Sequence, residues 1–95
     1  MHLRFEWDPK KAETNLIKHK VSFEEAMTVF ADPLARIFPD EEHSVGELRE
    51  IIIGHSARHR LILVNFTSVN DRVRIFSGRK ATRWERKDYE ENVGS

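Results

Sequence analysis

The stretch LREIIIGHSARHRLILVNFTSVNDRVRIFSG, residues 48–78, decides the fold of this chain. Its apolar runs predict three β-strands, at residues 48–56, 60–67 and 72–78. The polar segments between these strands are short enough for hairpins, so we predict an antiparallel sheet. Because Ile51-Ile52-Ile53 and Leu61-Ile62-Leu63-Val64 are continuous apolar runs, we expect both faces of the sheet to be covered, or nearly so.

The beginning of the chain predicts another strand and a helix. Residues 3–7 alternate apolar and polar side chains, as a half-buried strand does, and we place Trp7 in the core. Asp8 is suited to cap a helix that starts at Pro9. The basic residues at 18–20 suit the negative end of the helix dipole, so we expect this helix to end there.

A second helix follows. Ser22 and Glu25 have the spacing of a capping box, with Ser22 as the N-cap. The apolar face of this helix consists of Phe23, Ala26, Met27 and Phe30. Asp32-Pro33 ends it, because proline disfavours the helical conformation in the residue before it.

The remaining elements complete an α+β fold. Residues 34–38 predict a short strand, and an acidic loop follows through Gly46. Residues 80–92 predict a charged helix that contacts the rest of the protein through Ala81, Trp84 and Tyr89. The order β-α-α-β-β-β-β-α indicates a small antiparallel β-sheet with two N-terminal helices packed on it and a C-terminal helix, in a single domain of residues 1–95.

The last hairpin predicts a polar face of the sheet. If Val69-Asn70 are the two turn residues, Thr67 faces Arg72 and Asn65 faces Arg74. These four side chains then share one face, since side chains alternate along a strand. The opposite face, which packs, consists of Val64, Phe66, Val73 and Ile75.

The charges cancel in total but are segregated along the chain. The 95 residues contain 16 Lys and Arg against 16 Asp and Glu, which gives a formal net charge of zero. Residues 40–50 carry five acids and one base, whereas residues 58–87 carry nine bases and two acids. Such segregation lets one face attract polyanions whatever the total charge is. The alternative is a solvated surface with ordinary ion pairs.

Composition also bounds the location of the protein. The chain has no cysteine, so disulfides and thiolate metal sites are excluded. No stretch approaches the roughly 18 apolar residues of a transmembrane helix, and no signal-peptide pattern opens the sequence. We therefore expect a cytoplasmic protein that does not contact a membrane.

Several kinds of catalytic site are excluded or disfavoured. The sequence has no nucleotide-binding glycine loop and no G-x-S-x-G elbow. His55 and His59 have the spacing of a helical metal site but flank a predicted hairpin, where that spacing does not converge. His43 lies among acids that could bind a divalent cation, although a solvated acidic loop is the favoured interpretation. We expect no metal and no cofactor.

Cleavage of RNA remains open, because RNA carries its own nucleophile, the 2′-hydroxyl. An enzyme has to neutralise the charge that develops at phosphorus and to move two protons. Arginine suits the first task, and Arg79 lies near Thr82 and Arg83, where a helix start adds anion-binding donors. Lys18 and His19 are available to move protons. For each arginine alone, an ordinary ion pair is the alternative.

Three groups of residues keep a specific order from about residue 5 to residue 90. The first group is Phe5-Glu6-Trp7-Asp8-Pro9, Lys11, Asn15, Lys18-His19, Val21, Phe23-Glu24 and Ala26. The second is Asp32-Pro33, His43-Ser44, Glu47, Arg49, Gly54, Arg60, Thr67 and Arg74-Ile75. The third is Ser77, Arg79, Ala81-Thr82, Glu85-Arg86 and Tyr89-Glu90. In this order they resemble the BrnT family of toxins.

The resemblance implies both a fold and a function. BrnT proteins are toxins of type II toxin–antitoxin pairs, with a fold similar to that of RelE-type ribonucleases. They cleave RNA and so arrest translation and growth, and RelE-like enzymes generally work without a metal. The resemblance also implies a partner, a BrnA-type antitoxin with a ribbon-helix-helix DNA-binding domain. The complex represses its own operon, so operator DNA is contacted only through the antitoxin.

The resemblance and the basic final third of the chain together give a candidate site. We expect a metal-independent endoribonuclease whose catalytic residues are Arg79, Arg74, Arg60 and Thr67 around the phosphate, with Lys18 or His19 moving protons. We expect RNA to be bound by Arg72, Arg83, Arg86 and Trp84. Trp84 lies between two arginines and can stack on an unpaired base, or it can be part of the core.

Departures from the family pattern leave an alternative function open. Ser68-Val69-Asn70 stands where the family often has Glu-Arg-Gly, so one arginine is missing, although Arg72 could take its place. Gly78 replaces the usual Ala, and His59 stands where Gly is common. The alternative function is a weak or inactive toxin homologue that acts as a corepressor with its antitoxin. A third possibility is a metal-dependent nuclease that uses the acidic loop.

Overall fold

Within residues 2–93, which the computed structural model describes, the elements follow in the predicted order β-α-α-β-β-β-β-α. The strands are β1 (Arg4–Glu6), β2 (Arg36–Pro39), β3 (Glu50–His55), β4 (Leu61–Val69) and β5 (Arg72–Lys80). The helices are α1 (Pro9–His19), α2 (Phe23–Thr28) and α3 (Arg83–Val93). Single 3-10 turns extend α2 and follow β2. The α+β class predicted from the sequence is confirmed.

The strands form one five-stranded sheet in the order β1-β5-β4-β3-β2. The four strands β2 to β5 pair antiparallel, as predicted. β1 lies on the far edge and pairs parallel with β5 at residues 72–74. The sheet is therefore mixed, a feature that the local pattern of residues 3–7 cannot predict because β1 and β5 are distant in sequence.

The predicted helix caps are present. Asp8 accepts a hydrogen bond at Oδ1 from the Lys10 N–H (2.9 Å), and α1 ends at Lys20, whose φ of 60° is left-handed. Ser22 Oγ accepts from the Glu25 N–H (3.0 Å) at the start of α2. The Glu25 carboxylate does not return to the Ser22 N–H, because it accepts hydrogen bonds from Arg60 and Ser56 instead.

Two apolar layers lie on opposite faces of the sheet. The layer under α2 consists of Val21, Phe23, Ala26, Val29, Ile52, Ile62, Val64, Phe66, Val73 and Ile75. The layer under α3 consists of Ile53, Leu61, Leu63 and Tyr89. Trp7 is partly buried and packs edge-on against Phe23 of the layer under α2, with ring centroids 5.8 Å apart, so it lies at the border of the core in which it was predicted.

The final helix starts later than predicted. β5 continues through Lys80, so α3 begins at Arg83. Tyr89 is buried and Ala81 packs beside it, as expected of the helix contacts. Trp84 is 75% exposed, so the prediction that it holds α3 to the sheet is wrong.

The last hairpin has the predicted faces but a different register. The turn residues are Asn70-Asp71, so Thr67 pairs with Arg74 and not with Arg72. A shift of two residues leaves every side chain on its predicted face. Asn70 adopts a left-handed φ of 57°, which asparagine tolerates better than most residues.

His59 also has a left-handed φ, of 63°, in the turn before β4. Glycine adopts this conformation without the steric cost that a Cβ atom brings. The backbone at this position therefore favours glycine, and histidine is accommodated under local strain.

Two glycines of the sheet face the α2 layer with different amounts of space. A Cβ added to Gly54 would lie 2.9 Å from Ala35 Cβ and 3.0 Å from Asp32 Oδ2. A Cβ added to Gly78 would lie 3.4 Å from Ala26 Cβ and from Val21 Cγ1, an ordinary contact. The structure thus requires glycine at 54 and accepts alanine at 78.

We predict that Gly54→Ala lowers the free energy of unfolding by about 1–3 kcal/mol, because the methyl group overpacks the contact with Ala35. Gly78→Ala serves as the matched control and is expected to be neutral or to stabilise the protein by up to about 1 kcal/mol. Urea denaturation of the two variants measures both values. Equal destabilisation by the two substitutions would contradict this reading of the packing.

Candidate functional site

One side of β4 and β5 is polar and is only partly covered by α3. We call it the open face, and it consists of Asn65, Thr67, Arg72, Arg74, Ser77 and Arg79. Thr67 and Arg74 are direct cross-strand partners, and so are Asn65 and Ser77. Four predicted site residues, Thr67, Arg72, Arg74 and Arg79, therefore lie on one surface.

Arg72 and Arg74 share one carboxylate. Arg74 Nη1 donates to Glu6 Oε2 (3.1 Å), and Arg72 Nε lies 3.4 Å from Glu6 Oε1. The side chains of all three residues are at least 42% exposed, so water screens these ion pairs. Two guanidinium groups against one carboxylate leave this end of the open face positive, and a phosphate can compete with Glu6 for both arginines.

The Thr67 hydroxyl lies beside Arg74. It donates to the Leu48 carbonyl (2.7 Å), which orients the oxygen on the open face. A hydroxyl that donates in one direction still has lone pairs to accept a hydrogen bond in another. Thr67 is therefore held in a defined position next to the arginine pair.

A chain of side-chain hydrogen bonds crosses the open face. Ser77 Oγ donates to Asn65 Oδ1 (3.1 Å), and Asn65 Nδ2 donates to Asp40 Oδ2 (2.6 Å). His43 Nδ1 lies 2.9 Å from the same Asp40 oxygen. Asp40 is 6% exposed, whereas His43 is 59% exposed. A buried carboxylate thus orients an accessible imidazole, the arrangement that positions histidines for proton transfer.

Sequence reasoning considered His43 only as a metal ligand and did not find this arrangement. The i, i+3 spacing of Asp40 and His43 was a local signal, but Asn65 lies 25 residues away and joins them only through the sheet. The acidic loop therefore contributes an oriented histidine to the open face.

Arg79 lies at the α3 end of the open face and is bound by Glu85. Its guanidinium donates to both carboxylate oxygens of Glu85, at 2.7 and 2.8 Å. The hydrogen bonds from Arg79 lower the pKa of Glu85 from 4.5 to about 2. Glu85 also accepts from the Thr82 N–H, and Thr82 Oγ1 accepts from the Glu85 N–H, which is a complete capping box. Two of the donors expected to bind an anion at this helix start, the Arg79 guanidinium and the Thr82 N–H, are thus already bound to Glu85.

The ion pair of Arg79 and Glu85 predicts a pH dependence of stability. Because the pKa of Glu85 is lowered in the folded protein, its contribution is present above about pH 4.5 and is lost as the pH falls towards 2. We expect Glu85→Gln to cost about 1 kcal/mol of unfolding free energy at pH 6, a difference that shrinks through this window. Denaturant unfolding from pH 7 to pH 3 measures it. When Arg79→Ala is also present, the loss of unfolding free energy caused by Glu85→Gln should depend less on pH. A pH dependence as large as in the protein that keeps Arg79 would refute the pairing.

Arg60 lies away from the open face, at the opposite end of β4 from Thr67 and next to the C-terminal end of α1. Its Nε donates to Glu25 Oε2 (2.8 Å), and its Nη2 donates to Glu25 Oε1 and to the Lys20 carbonyl (2.8 Å). Ser56 Oγ donates to the same carboxylate at 2.7 Å. The hydrogen bonds from Arg60 lower the pKa of Glu25, whose side chain is only 4% exposed. The guanidinium of Arg60 therefore joins α2 to the sheet, and its predicted catalytic role stays untested.

We predict that Arg60→Ala lowers the free energy of unfolding by about 2–4 kcal/mol, because the buried Glu25 carboxylate loses its close cationic partner and keeps only Ser56 and the more distant Arg58. The double variant Glu25→Ala/Arg60→Ala should lose less than the two single variants together. Thermal and urea denaturation test this. If Arg60→Ala kept the stability of the wild type but lost RNA cleavage, Arg60 would return to the catalytic set.

Lys18 and His19 lie on α1, in a groove between that helix and β5. The groove has a volume of about 360 Å³ and is lined by Lys10, Lys11, Thr14, Asn15, Lys18, His19, Phe76 and Ser77. Ser77 belongs to both the groove and the open face. The two predicted proton-handling residues thus border the open face on the side of α1.

Asn15 builds this groove, although sequence reasoning assigned it no role. Its Nδ2 donates to the Gly78 carbonyl (2.8 Å) and to the Val21 carbonyl (2.9 Å), and its Oδ1 accepts from the Gly78 N–H (3.1 Å). Asn15 is buried, so these bonds fasten α1 along the edge of β5 beyond the end of β1. A polar residue among helix-forming neighbours was the available signal, since asparagine is unfavourable inside helices unless its side chain is used.

The RNA-binding candidates of α3 lie on its outer surface. Arg83, Trp84 and Arg86 are exposed, and Lys87 Nζ lies 6.0 Å from the centre of the Trp84 indole. These residues form a basic patch with an aromatic side chain next to the α3 end of the open face. Their predicted contact with RNA stays a prediction.

The histidines and acids do not gather into a metal site in the part of the chain that is described. Among residues 2–93, no group of three or more histidine, aspartate or glutamate side chains is placed to hold a metal ion. His55 lies 3.8 Å from Asp32 and packs edge-on against Tyr89, whereas His59 lies in the turn. None of the described helices is long and apolar enough to cross a membrane.

Comparison with known proteins identifies the family. A family model described as "Ribonuclease toxin, BrnT, of type II toxin-antitoxin system" matches residues 7–85. The crystal structure of the Brucella abortus ribonuclease toxin BrnT is similar, with a TM-score of 0.66 and 25% sequence identity over 85% of this chain and 99% of that chain. The search of curated proteins finds no match. Since the family model covers most of the sequence, the resemblance is confirmed and the corepressor alternative is not favoured: the chain belongs to the BrnT family of ribonuclease toxins of type II toxin–antitoxin systems.

Proposed function

We propose that this toxin cleaves RNA on its open face by a metal-independent attack of the 2′-hydroxyl. The observation that carries the proposal is the arginine pair, Arg72 and Arg74, next to the oriented hydroxyl of Thr67. The exposed guanidinium groups bind a phosphate in place of Glu6. They then stabilise the negative charge that develops on the phosphoryl oxygens in the transition state.

The reaction transfers two protons. A base takes the proton of the 2′-hydroxyl while its oxygen bonds to phosphorus, and the bond from phosphorus to the 5′-oxygen breaks. The leaving 5′-oxygen takes a proton from an acid. The products are a 2′,3′-cyclic phosphate and a 5′-hydroxyl, so the end groups distinguish this route from metal-dependent hydrolysis.

Three side chains border the open face as candidates to move these protons. His43 approaches from the acidic loop and is oriented by Asp40, which supports it as the base. Lys18 and His19, the residues expected from the sequence, approach from α1 on the other side. Groups on two sides of a bound phosphate suit an in-line displacement, in which attacking and leaving oxygens lie opposite each other.

The remaining predicted residues have auxiliary roles in this proposal. Arg79 can bind the scissile phosphate only if it releases Glu85. We therefore assign Arg79 to binding the RNA backbone, beside Arg83, Trp84 and Arg86. Arg72 lies directly across the hairpin from Val69, the position where the family often has arginine. A guanidinium is thus retained at this end of the face, which supports activity despite the departure.

The partner follows from the same proposal. A type II toxin has an antitoxin, and we infer that it is of the BrnA type, with a ribbon-helix-helix DNA-binding domain that alone contacts the operator. We also propose that the toxin acts in the cytoplasm, where cleavage of RNA stops translation and growth. An acidic segment of the antitoxin suits the arginines of the open face, because it would replace RNA there.

Arg74→Ala is the most direct test of the proposed site. We predict that the wild type cleaves single-stranded RNA in EDTA and that Arg74→Ala lowers kcat by at least about 100-fold, since it removes a phosphate ligand. Arg58→Ala is the matched control, because Arg58 lies in the turn at the other end of the sheet, 71% exposed and only 3.8 Å from Glu25 at its guanidinium, away from the open face. The end groups of the products are identified by mass spectrometry.

Three outcomes would contradict the proposal. Cleavage that requires a divalent cation and leaves a 5′-phosphate would point to metal-dependent hydrolysis. A folded wild type that leaves RNA intact in the absence of antitoxin would refute catalysis. Full activity of Arg74→Ala would move the site away from the open face.

A further inference from the structure

Phe76 has an unusual position for a large apolar side chain. The pairing of β4 with β5 shifts at this point, from Phe66 opposite Ile75 to Asn65 opposite Ser77, so Phe76 is an extra residue in a β-bulge. Its ring lies in the groove beside α1 and is only partly buried. Neither apolar layer of the core includes it. The bulge thus turns an aromatic ring towards the polar side of the sheet.

Two cations lie over this ring. The guanidinium carbon of Arg49 is 3.9 Å from the ring centre, and Lys11 Nζ is 5.3 Å from it. Arg49 is held in place, since its Nε lies 3.4 Å from Glu47 and its backbone N–H donates to Ser44 Oγ (3.0 Å). Lys11 is an exposed lysine on a flexible stem and can move aside at little cost.

The groove around Phe76 attracts anions. Its described lining includes three lysines and His19, and no carboxylate. A volume of about 360 Å³ lies in the range of roughly 300–1,000 Å³ that is usual for small-molecule sites. Ser77, the next residue after Phe76, belongs to the hydrogen-bond chain that reaches His43. The groove therefore continues directly into the proposed cleavage site.

We propose that Phe76 is a stacking platform for one unpaired nucleobase of the RNA. The base takes the position of Lys11 over the ring, and Lys11 and Lys18 then contact the phosphate next to it. This inference rests on the proposed function, because it places a nucleotide neighbouring the scissile phosphate. An aromatic ring with cations at its edge fits a nucleotide, which combines a flat π-face with a phosphate.

An acidic peptide fits the same groove less well. Carboxylates would pair with the lysines but gain nothing from the ring, whose face carries partial negative charge. Stacking also accepts every base, so the subsite adds affinity and positions the strand without selecting a sequence.

The test is binding of a fluorescent single-stranded 2′-O-methyl hexanucleotide, which cannot supply the 2′-hydroxyl nucleophile. Fluorescence anisotropy measures Kd for the full chain and its variants, with folding verified by circular dichroism. We expect Phe76→Leu to weaken binding about tenfold, because base stacking on an aromatic side chain is lost. Phe76→Tyr keeps the ring and should bind like the wild type. Lys11→Met should weaken binding about threefold and reduce its salt dependence.

The outcomes separate this inference from the proposed function. If Phe76→Leu binds the hexanucleotide as tightly as the wild type while the wild type cleaves RNA, the stacking platform is overturned and the function stands. If the wild type does not cleave RNA but its affinity for the hexanucleotide depends on the Phe76 ring, the proposed function is overturned and the stacking platform stands. Loss of affinity in Phe76→Tyr equal to that in Phe76→Leu would also overturn the platform. A glutamate-rich peptide that binds better than the RNA, with the same dependence on Phe76, would assign the groove to a protein partner.

Discussion

The proposed site depends on the hydrogen bonds that the side-chain amide of Asn15 makes with β5 and with the turn before α2. β1 pairs with β5 only at residues 72–74, so the edge of β5 beyond it needs another partner. Asn15 supplies one by binding both the N–H and the carbonyl of Gly78, and it fixes the turn before α2 through the Val21 carbonyl. Each buried backbone group left without a partner costs about 1–3 kcal/mol. The amide thus sets the distance between α1 and the sheet, and with it the groove.

The two faces of the sheet differ in what covers them. The face under α2 carries the larger apolar layer, and Glu25 with Arg60 joins that helix to the sheet at one end. The other face is covered by α3 only in part, so its polar residues remain accessible. The carboxylates that bind the arginines of the two faces differ in burial. Arg60 binds Glu25, which is 4% exposed, whereas Arg74 shares the exposed Glu6, which a phosphate can replace. Solvent exposure therefore decides which arginines can exchange ligands.

Local signals predicted most of the elements, and contacts between distant residues were the part that could not be predicted. The caps at Asp8 and Ser22 and the alternation of β4 depend on neighbours within four residues, and they are confirmed. The resemblance to a toxin family predicted the function. A single sequence carries no periodic signal for contacts between residues 12 to 68 positions apart. Such contacts are the parallel pairing of β1 with β5, the Asn65–Asp40 hydrogen bond, and the Ser77–Asn65 hydrogen bond beside the bulge at Phe76. The glutamates that bind Arg60 and Arg79 were missed for a different reason, because ion-pair partners are interchangeable in sequence.

The location of bound RNA tests this view of the protein most directly. We would titrate the isotopically labelled toxin with a non-cleavable single-stranded RNA and follow the backbone amide shifts by NMR. We expect the largest shifts on the open face and along the groove, at Thr67, Arg74, Phe76 and Ser77 and at the lysines of α1, with small shifts at Arg58 and in β2. Shifts confined to the outer surface of α3 or to β2, with the open face unchanged, would contradict it.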